Sequence, residues 1–231
     1  ISDLAAGASR PANVIGMHYF SPVERMPLLE IIRGPATDAA TIARAFDFAA
    51  RIGKTPICVN DGRGFFTSRV FAAYVLEGAA LVGEGQPPAL VEHAATGAGM
   101  PIGPLALTDE VSLTLILQIL DQARADGDGG TDAHPGEPVV RVLVEHHERP
   151  GRRAGAGFYA YGDGERHLWP GLAEAFPGVA APAPVDAVAE RLMLVQANEA
   201  ARAFDEGIVE RVADADVASV LGWGFPAAAG G

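Results

Sequence analysis

At 231 residues, 49% hydrophobic and 20% charged, the chain has the composition of a globular protein with ample length for a buried core. A formal charge of −12, from 29 acidic against 17 basic side chains, argues against a nucleic-acid partner, because phosphate binding needs a basic face. The single cysteine, Cys58, rules out an intramolecular disulfide, and no run of about eighteen apolar residues is present to span a membrane. The N-terminus carries no basic flank followed by an apolar run, so the expected compartment is the cytoplasm.

Residues 1–10 read as a short helix or loop. Two short apolar segments follow, 14–17 and 28–32, flanking a loop that begins His18-Tyr-Phe-Ser-Pro22. His18 ends the first segment and Glu30 lies twelve residues later in the second. If the segments pair as neighbouring strands, the two side chains approach each other. A carboxylate beside an imidazole fixes its tautomer and stabilises its protonated form, as a general base requires. On spacing alone the pair also reads as a strand-end histidine and a polar strand face. Asp38 opens a helix whose apolar positions Ile42, Ala45, Phe46, Ala49 and Ile52 keep a 3.6 period, and Gly53 ends it. Residues 55–59 form another strand, with Cys58 inside an apolar run and read as buried. This order is the end of an α/β sheet, without the opening strand and glycine-rich turn of a doubly wound domain.

Asn60-Asp-Gly-Arg-Gly64 is a turn cluster, expected to be the domain hinge. Beyond it the pattern turns helical: 66–82, closed by Gly83-Glu-Gly85, then 88–97, then further helices over 105–125. A Gly-, Asp- and Pro-rich loop is expected over 125–138 and a helix over 139–148. Arg149, Arg152 and Arg153 make the densest basic spot and read as a solvated loop. Gly155-Ala-Gly-Phe-Tyr-Ala-Tyr161 is a turn followed by an extended segment, residues 162–185 a linker, and 186–206 a second long helix. That last helix repeats the first. Arg69 and Glu77 answer Arg191 and Glu199, Gly85 answers Gly207, and Gly97-Ala-Gly-Met-Pro101 answers Gly222-Trp-Gly-Phe-Pro226. One ordered set of this kind points to duplication of a helical unit. His93, His134, His146 and His147 lack partners at metal-ligand spacing, so no metal is expected.

The ordered motifs carry a resemblance. His18-Tyr-Phe-Ser-Pro22 with Glu30, Gly53-Lys-Thr-Pro-Ile-Cys-Val-Asn-Asp61, Gly64-Phe-Phe-Thr-Ser-Arg69, Met100-Pro-Ile-Gly-Pro104 with Asp109-Glu-Val111, and Gly155-Ala-Gly-Phe-Tyr159 resemble 3-hydroxyacyl-CoA dehydrogenases. The repeated helical unit is similar to the α subunit of the multifunctional fatty-acid oxidation complex. The fold so implied is an α/β remnant, the C-terminal part of a Rossmann-type NAD-binding domain, followed by a mainly α-helical dehydrogenase C-terminal domain, duplicated. The expected boundaries are 1–60 for the nucleotide part, 61–161 for the first helical copy, 162–185 for the linker and 186–231 for a truncated second copy.

The resemblance implies NAD-dependent oxidation of 3-hydroxyacyl-CoA to 3-ketoacyl-CoA in fatty-acid β-oxidation. His18 is then the catalytic base and Glu30 its orienting partner. Ser68 stands where simple members have a substrate-holding asparagine, with a helix first-turn cap as its other reading, and Ser21 is a weaker substrate contact. Arg69 is expected to pair with Glu77 or Asp61, while Asp109 and Glu110 are expected to cap or pair locally. The glycine-rich phosphate turn, the acid for the ribose and a catalytic serine are expected upstream of Ile1, so the chain reads as a fragment, inactive alone. An acyl-CoA substrate, a thiolase β subunit and a second copy of the chain are the partners implied. Two rival readings remain. One is a β-hydroxyacid dehydrogenase of another substrate class, which needs a lysine in its helical domain, whereas the only lysine, Lys54, precedes a strand. The other is a non-catalytic helical assembly module.

Overall fold

Leu28 to Ile32 are each no more than 1% exposed, the glutamate included, and they form the middle strand of a three-stranded sheet. In chain order the elements are helix α1 (Ser2–Ala6), strands β1 (Ile15–Tyr19) and β2 (Leu28–Arg33), helix α2 (Ala39–Arg51), strand β3 (Thr55–Asn60), and helices α3 (Thr67–Gly83), α4 (Pro88–Gly97), α5 (Pro104–Val111), α6 (Leu113–Ala125) and α7 (Glu137–Glu145). Then come strands β4 (Tyr159–Gly162) and β5 (Glu165–Leu168) and helices α8 (Leu172–Ala175), α9 (Val185–Asp205) and α10 (Val212–Ala218). The structure is a computed structural model describing residues 1–127, 134–162 and 164–231. Among these residues no helix is long and apolar enough to cross a membrane. The chain divides into two compact units, Ile1–Phe71 with Gln196–Gly231, and Ala72–Val195.

In the first unit β1 runs antiparallel to β2, and β2 parallel to β3. The two-residue strand period sorts the side chains. Ile15, Met17 and Tyr19 join Leu29 and Ile31 against Ala45, Phe46 and Ala49 of α2. Gly16, His18, Leu28, Glu30 and Ile32 therefore face the other way. The carboxylate of Asp38 accepts the Thr41 N–H at 2.6 Å, capping α2, and this bonding holds its carboxyl below the usual range. Cys58 is half-buried in β3, and burial pushes its thiol up, away from reactivity. Strand β1 extends to Tyr19, so His18 lies within the ladder rather than at its end.

The second unit is helical with one hairpin. Glu92 on α4 accepts the Leu105 N–H at 2.8 Å, capping α5 from outside, and also accepts the Tyr159 hydroxyl at 2.7 Å. Asp109, expected to cap or pair locally, instead sits 1% exposed and anchors β4. It accepts the N–H groups of Phe158 and Tyr159 at 2.8 and 2.9 Å and the Tyr161 hydroxyl at 2.9 Å. The glycine of Gly157-Phe158-Tyr159 is required for this approach, since a Cβ there would stand 2.0 Å from Asp109 Oδ1.

Burial pushes the Asp109 carboxyl up to about 6, against the opposing pull of these hydrogen bonds. A folded-state value above the ordinary 3.8 means that the folded chain takes up the proton first as pH falls. This group alone then adds about 2 kcal/mol of stability between pH 7 and pH 4. Urea unfolding at both pH values should show that gain in the native chain and not in Asp109→Asn; equal pH dependence in the two would refute it.

Several local expectations change. The stretch 162–185 contains β5, paired antiparallel with β4, and α8. The strand Glu-Arg-His-Leu is mostly exposed, so it carries no apolar alternation to announce it. Arg149 is not part of a solvated loop. It is 9% exposed, donates to the Gly157 and Tyr159 carbonyls at 2.6 and 2.8 Å, and stacks 4.3 Å from the Trp169 ring. Residues 128–133 of the expected 125–138 loop lie outside the described residues, and α7 begins earlier than expected, at Glu137.

Arg69 pairs with neither Glu77 nor Asp61. Eight residues along a helix span about 12 Å, too far for Arg69 to meet Glu77 readily. It binds Glu199 at 2.6 Å and Glu206 at 2.5 Å within the first unit, while Asp61 takes the N–H and hydroxyl of Ser2. Within the second unit Arg191 binds Glu77 and, at 2.6 Å, Glu84.

Candidate active site

His18 and Glu30 are direct cross-strand partners in the β1–β2 register, on the sheet face opposite α2. Their side chains meet, with Nδ1 of His18 2.8 Å from Oε2 of Glu30. The imidazole is 30% exposed and the carboxylate fully buried.

A buried carboxylate is costly unless its oxygens are satisfied. Glu30 is an acceptor with four donors. Oε1 takes the N–H groups of Phe66 and Thr67 at 3.0 and 3.1 Å, and Oε2 takes the Thr67 hydroxyl at 2.6 Å beside His18. Both N–H groups belong to the start of α3, where backbone donors have no partner inside the helix and the helix dipole favours negative charge. The helix N-terminus and the carboxylate thus complete one another.

Because Nδ1 faces a carboxylate, which can only accept, it carries the proton, and Nε2 is left with the lone pair. Two aromatic rings flank the imidazole. Phe20 lies 4.7 Å away and Phe65 5.9 Å, centroid to centroid, both tilted. Phe65 holds a φ of +50, a left-handed conformation uncommon for a bulky residue, in the turn that delivers its ring to His18. The loop carrying Phe20 and Ser21 is closed by Arg25 and Met26 N–H bonds to the Pro22 carbonyl. Lys54, from the α2–β3 turn, donates to the carbonyls of Val23 and Met26, holding this loop from below.

Ser21 and Ser68 are both exposed, Ser21 in that loop and Ser68 in the first turn of α3. The hydroxyl that reaches the pair is that of Thr67, one residue earlier. Sequence reasoning passed over Thr67, although a threonine opening a helix is a recognisable signal for a polar contact at its N-terminus.

A dinucleotide needs a helix N-terminus free to receive its phosphates. Here α2 is capped by the carboxylate of Asp38 and α3 by that of Glu30. Neither of these two helix starts is open to a phosphate, and what the α3 junction holds is an imidazole beside a buried carboxylate. Among the described residues no group of three His, Cys, Asp or Glu side chains is placed to hold a metal ion.

Family models match in two consecutive parts: "3-hydroxyacyl-CoA dehydrogenase, NAD binding domain" over residues 1–62 and "3-hydroxyacyl-CoA dehydrogenase, C-terminal domain" over residues 64–161. Among solved structures, (S)-3-hydroxybutyryl-CoA dehydrogenase from Ralstonia eutropha is 33% identical over 71% of this chain and 57% of its own, with a TM-score of 0.62. The 3-hydroxybutyryl-CoA dehydrogenase from Escherichia coli shares the fold over 98% of this chain at 22% identity and a TM-score of 0.77, and 64% of its length is spanned. The dehydrogenase part of multifunctional enzyme 1 from C. elegans does so over 97% of this chain at 22% identity and a TM-score of 0.66, with 51% of its length spanned. With both parts of the family matched in order, and a Rossmann-like segment followed by the helical domain, the chain belongs to the 3-hydroxyacyl-CoA dehydrogenase family.

Proposed function

We propose that this chain carries the proton-transfer half of an NAD-dependent oxidation of 3-hydroxyacyl-CoA to 3-ketoacyl-CoA, in the service of fatty-acid degradation. The observation that carries this reading is the 2.8 Å contact between an accessible imidazole and a fully buried carboxylate. Nε2 of His18 takes the proton of the substrate's 3-hydroxyl, and the imidazolium so formed faces Glu30. In the reverse direction the imidazolium returns that proton to the developing alkoxide. NAD, when bound, supplies the hydride acceptor. Ser21 and Ser68, exposed on the loop after β1 and at the start of α3, are the proposed substrate contacts.

The helical part is proposed to be duplicated, residues 186–231 repeating the unit that begins near residue 61. Support comes from the ion pairs. Arg69 binds Glu199 and Glu206, and Arg191 binds Glu77 and Glu84. Each copy's arginine takes the other copy's two acids, the reciprocity expected when two copies of one unit pair.

The test compares two proteins. The chain joined to a complete NAD-binding domain should reduce NAD with 3-hydroxybutyryl-CoA, and the chain alone should neither turn over nor bind NAD in isothermal titration. Micromolar NAD binding by the chain alone would overturn the expectation that it does not hold NAD by itself. Failure of the joined protein to oxidise 3-hydroxyacyl-CoA of any length would overturn the dehydrogenase reading.

A further inference from the structure

We infer that the turn Ser219–Trp223, near the C-terminal end of the chain, is a positioning element for the His18–Glu30 pair, with Trp223 and Gly222 acting through Phe66 and Thr67. The inference rests on the proposed role of that pair for its catalytic meaning, but not for its geometry. All of these residues belong to one compact unit.

The donors to Glu30 come from the first residues of α3. Backbone at a helix start has few bonds of its own, so its position depends on what packs against it. Phe66 is fully buried, and its N–H is one of those donors. Against its ring stands Trp223, 6.0 Å away and edge-on, itself only 8% exposed. Trp223 is held from behind, its indole N–H donating to Oε1 of Gln196 at 2.9 Å in a buried setting. The neighbouring residue reaches the other donor. A Cβ on Gly222 would lie 3.0 Å from Cδ2 of Leu28 and 3.8 Å from Cγ2 of Thr67. Glycine therefore lets this backbone press close to β2 and to Thr67, whose N–H and hydroxyl both bind Glu30.

The turn is built to hold these two contacts together. Ser219–Trp223 is a π-helical turn following α10, which widens the backbone so that consecutive residues 222 and 223 both meet the α3 start. It is closed by the Phe225 N–H bond to the Ser219 carbonyl at 2.9 Å, and Gly224 leaves it at a φ of +79. A chain of contact thus runs from Gln196 through Trp223 to Phe66, from Phe66 to Glu30, and from Glu30 to Nδ1 of His18. Trp223 touches neither reacting atom; it holds the groups that hold the base.

The test reads the imidazole directly. In the chain labelled with ¹⁵N-histidine, the Nδ1–H proton of His18 gives a resonance identified by its loss in His18→Gln. Trp223→Ala should shift or broaden that resonance while the rest of the spectrum keeps folded dispersion. Trp223→Phe, which keeps a ring edge against Phe66, should restore it. Leu143→Ala, which opens a cavity at a fully buried position of α7 in the other unit, should leave it unchanged. If Trp223→Ala does not fold, Gly222→Ala gives the same reading, since its methyl pushes on Leu28. A His18 resonance unchanged in the folded Trp223→Ala or Gly222→Ala chain overturns the inference. In the protein joined to a complete NAD-binding domain, Trp223→Ala should lower kcat about 10- to 100-fold, with KM little changed. The two failures are separable. An altered resonance beside an inactive parent protein condemns the dehydrogenase reading alone, and an unaltered resonance beside an active parent condemns the positioning role alone.

Discussion

His18→Gln, made in the chain joined to a complete NAD-binding domain, lowers kcat for 3-hydroxyacyl-CoA oxidation by about 10²- to 10⁴-fold, with little change in KM. The reason is local. A glutamine amide at this position is polar and of similar length, beside a carboxylate that lies 2.8 Å from Nδ1 in the native chain. It has no basic nitrogen to take the hydroxyl proton. Steady-state rates with 3-hydroxybutyryl-CoA and NAD check the prediction, and equal rates in mutant and parent would remove His18 from the mechanism.

The second large effect separates the two jobs of Glu30. Glu30→Leu removes the acceptor for three donors at the start of α3, the N–H groups of Phe66 and Thr67 and the Thr67 hydroxyl. Buried donors left without partners make this variant unstable by about 3–5 kcal/mol, measured by urea unfolding. Glu30→Gln should cost much less, on the order of 1–2 kcal/mol. Its carbonyl oxygen can keep the two N–H bonds, with its NH₂ group turned toward Thr67 and His18. The Thr67 hydroxyl can rotate to accept, and Nδ1 of His18 must then accept too. That places the ring proton on Nε2, the atom that has to be basic. A far smaller loss of stability than in Glu30→Leu, with kcat down about 10²- to 10⁴-fold, is the expected pairing. A Glu30→Gln protein as active as the parent would show that the carboxylate only supports the fold.

The pair itself was legible because strand periodicity is local. Residues 14–17 and 28–32 read as strands, and in the antiparallel register they adopt, His18 falls opposite Glu30. The strand–strand–helix–strand order, the Asp38 cap and the helix over Pro88–Gly97 were equally local, each announced by its own apolar period or terminal residue. Elements without such a signal were missed. Strand β5 is charged and mostly exposed, and it exists because β4 lies beside it. Arg149 looks like part of a basic loop until the carbonyls of Gly157 and Tyr159 are folded against it.

The candidate site divides along the same line. A single stretch of about twenty residues contains the proposed base and its acid, and the order of short motifs along the chain places it in its family. What the linear order leaves open is what surrounds Glu30. Phe66 and Thr67 are 36 and 37 residues away, Trp223 stands farther still, and Lys54 comes from a turn on the far side of α2. Which hydroxyl meets the carboxylate, Thr67 rather than Ser68, depends on how the first turn of α3 is rotated, and adjacent residues on a helix point about 100° apart. Periodicity within the chain announced the strands and helices and made the His18–Glu30 pairing one of two readings, which the strand register then decided. Only packing between distant segments could decide which donors satisfy a buried charge, because that choice depends on distances no stretch of sequence contains.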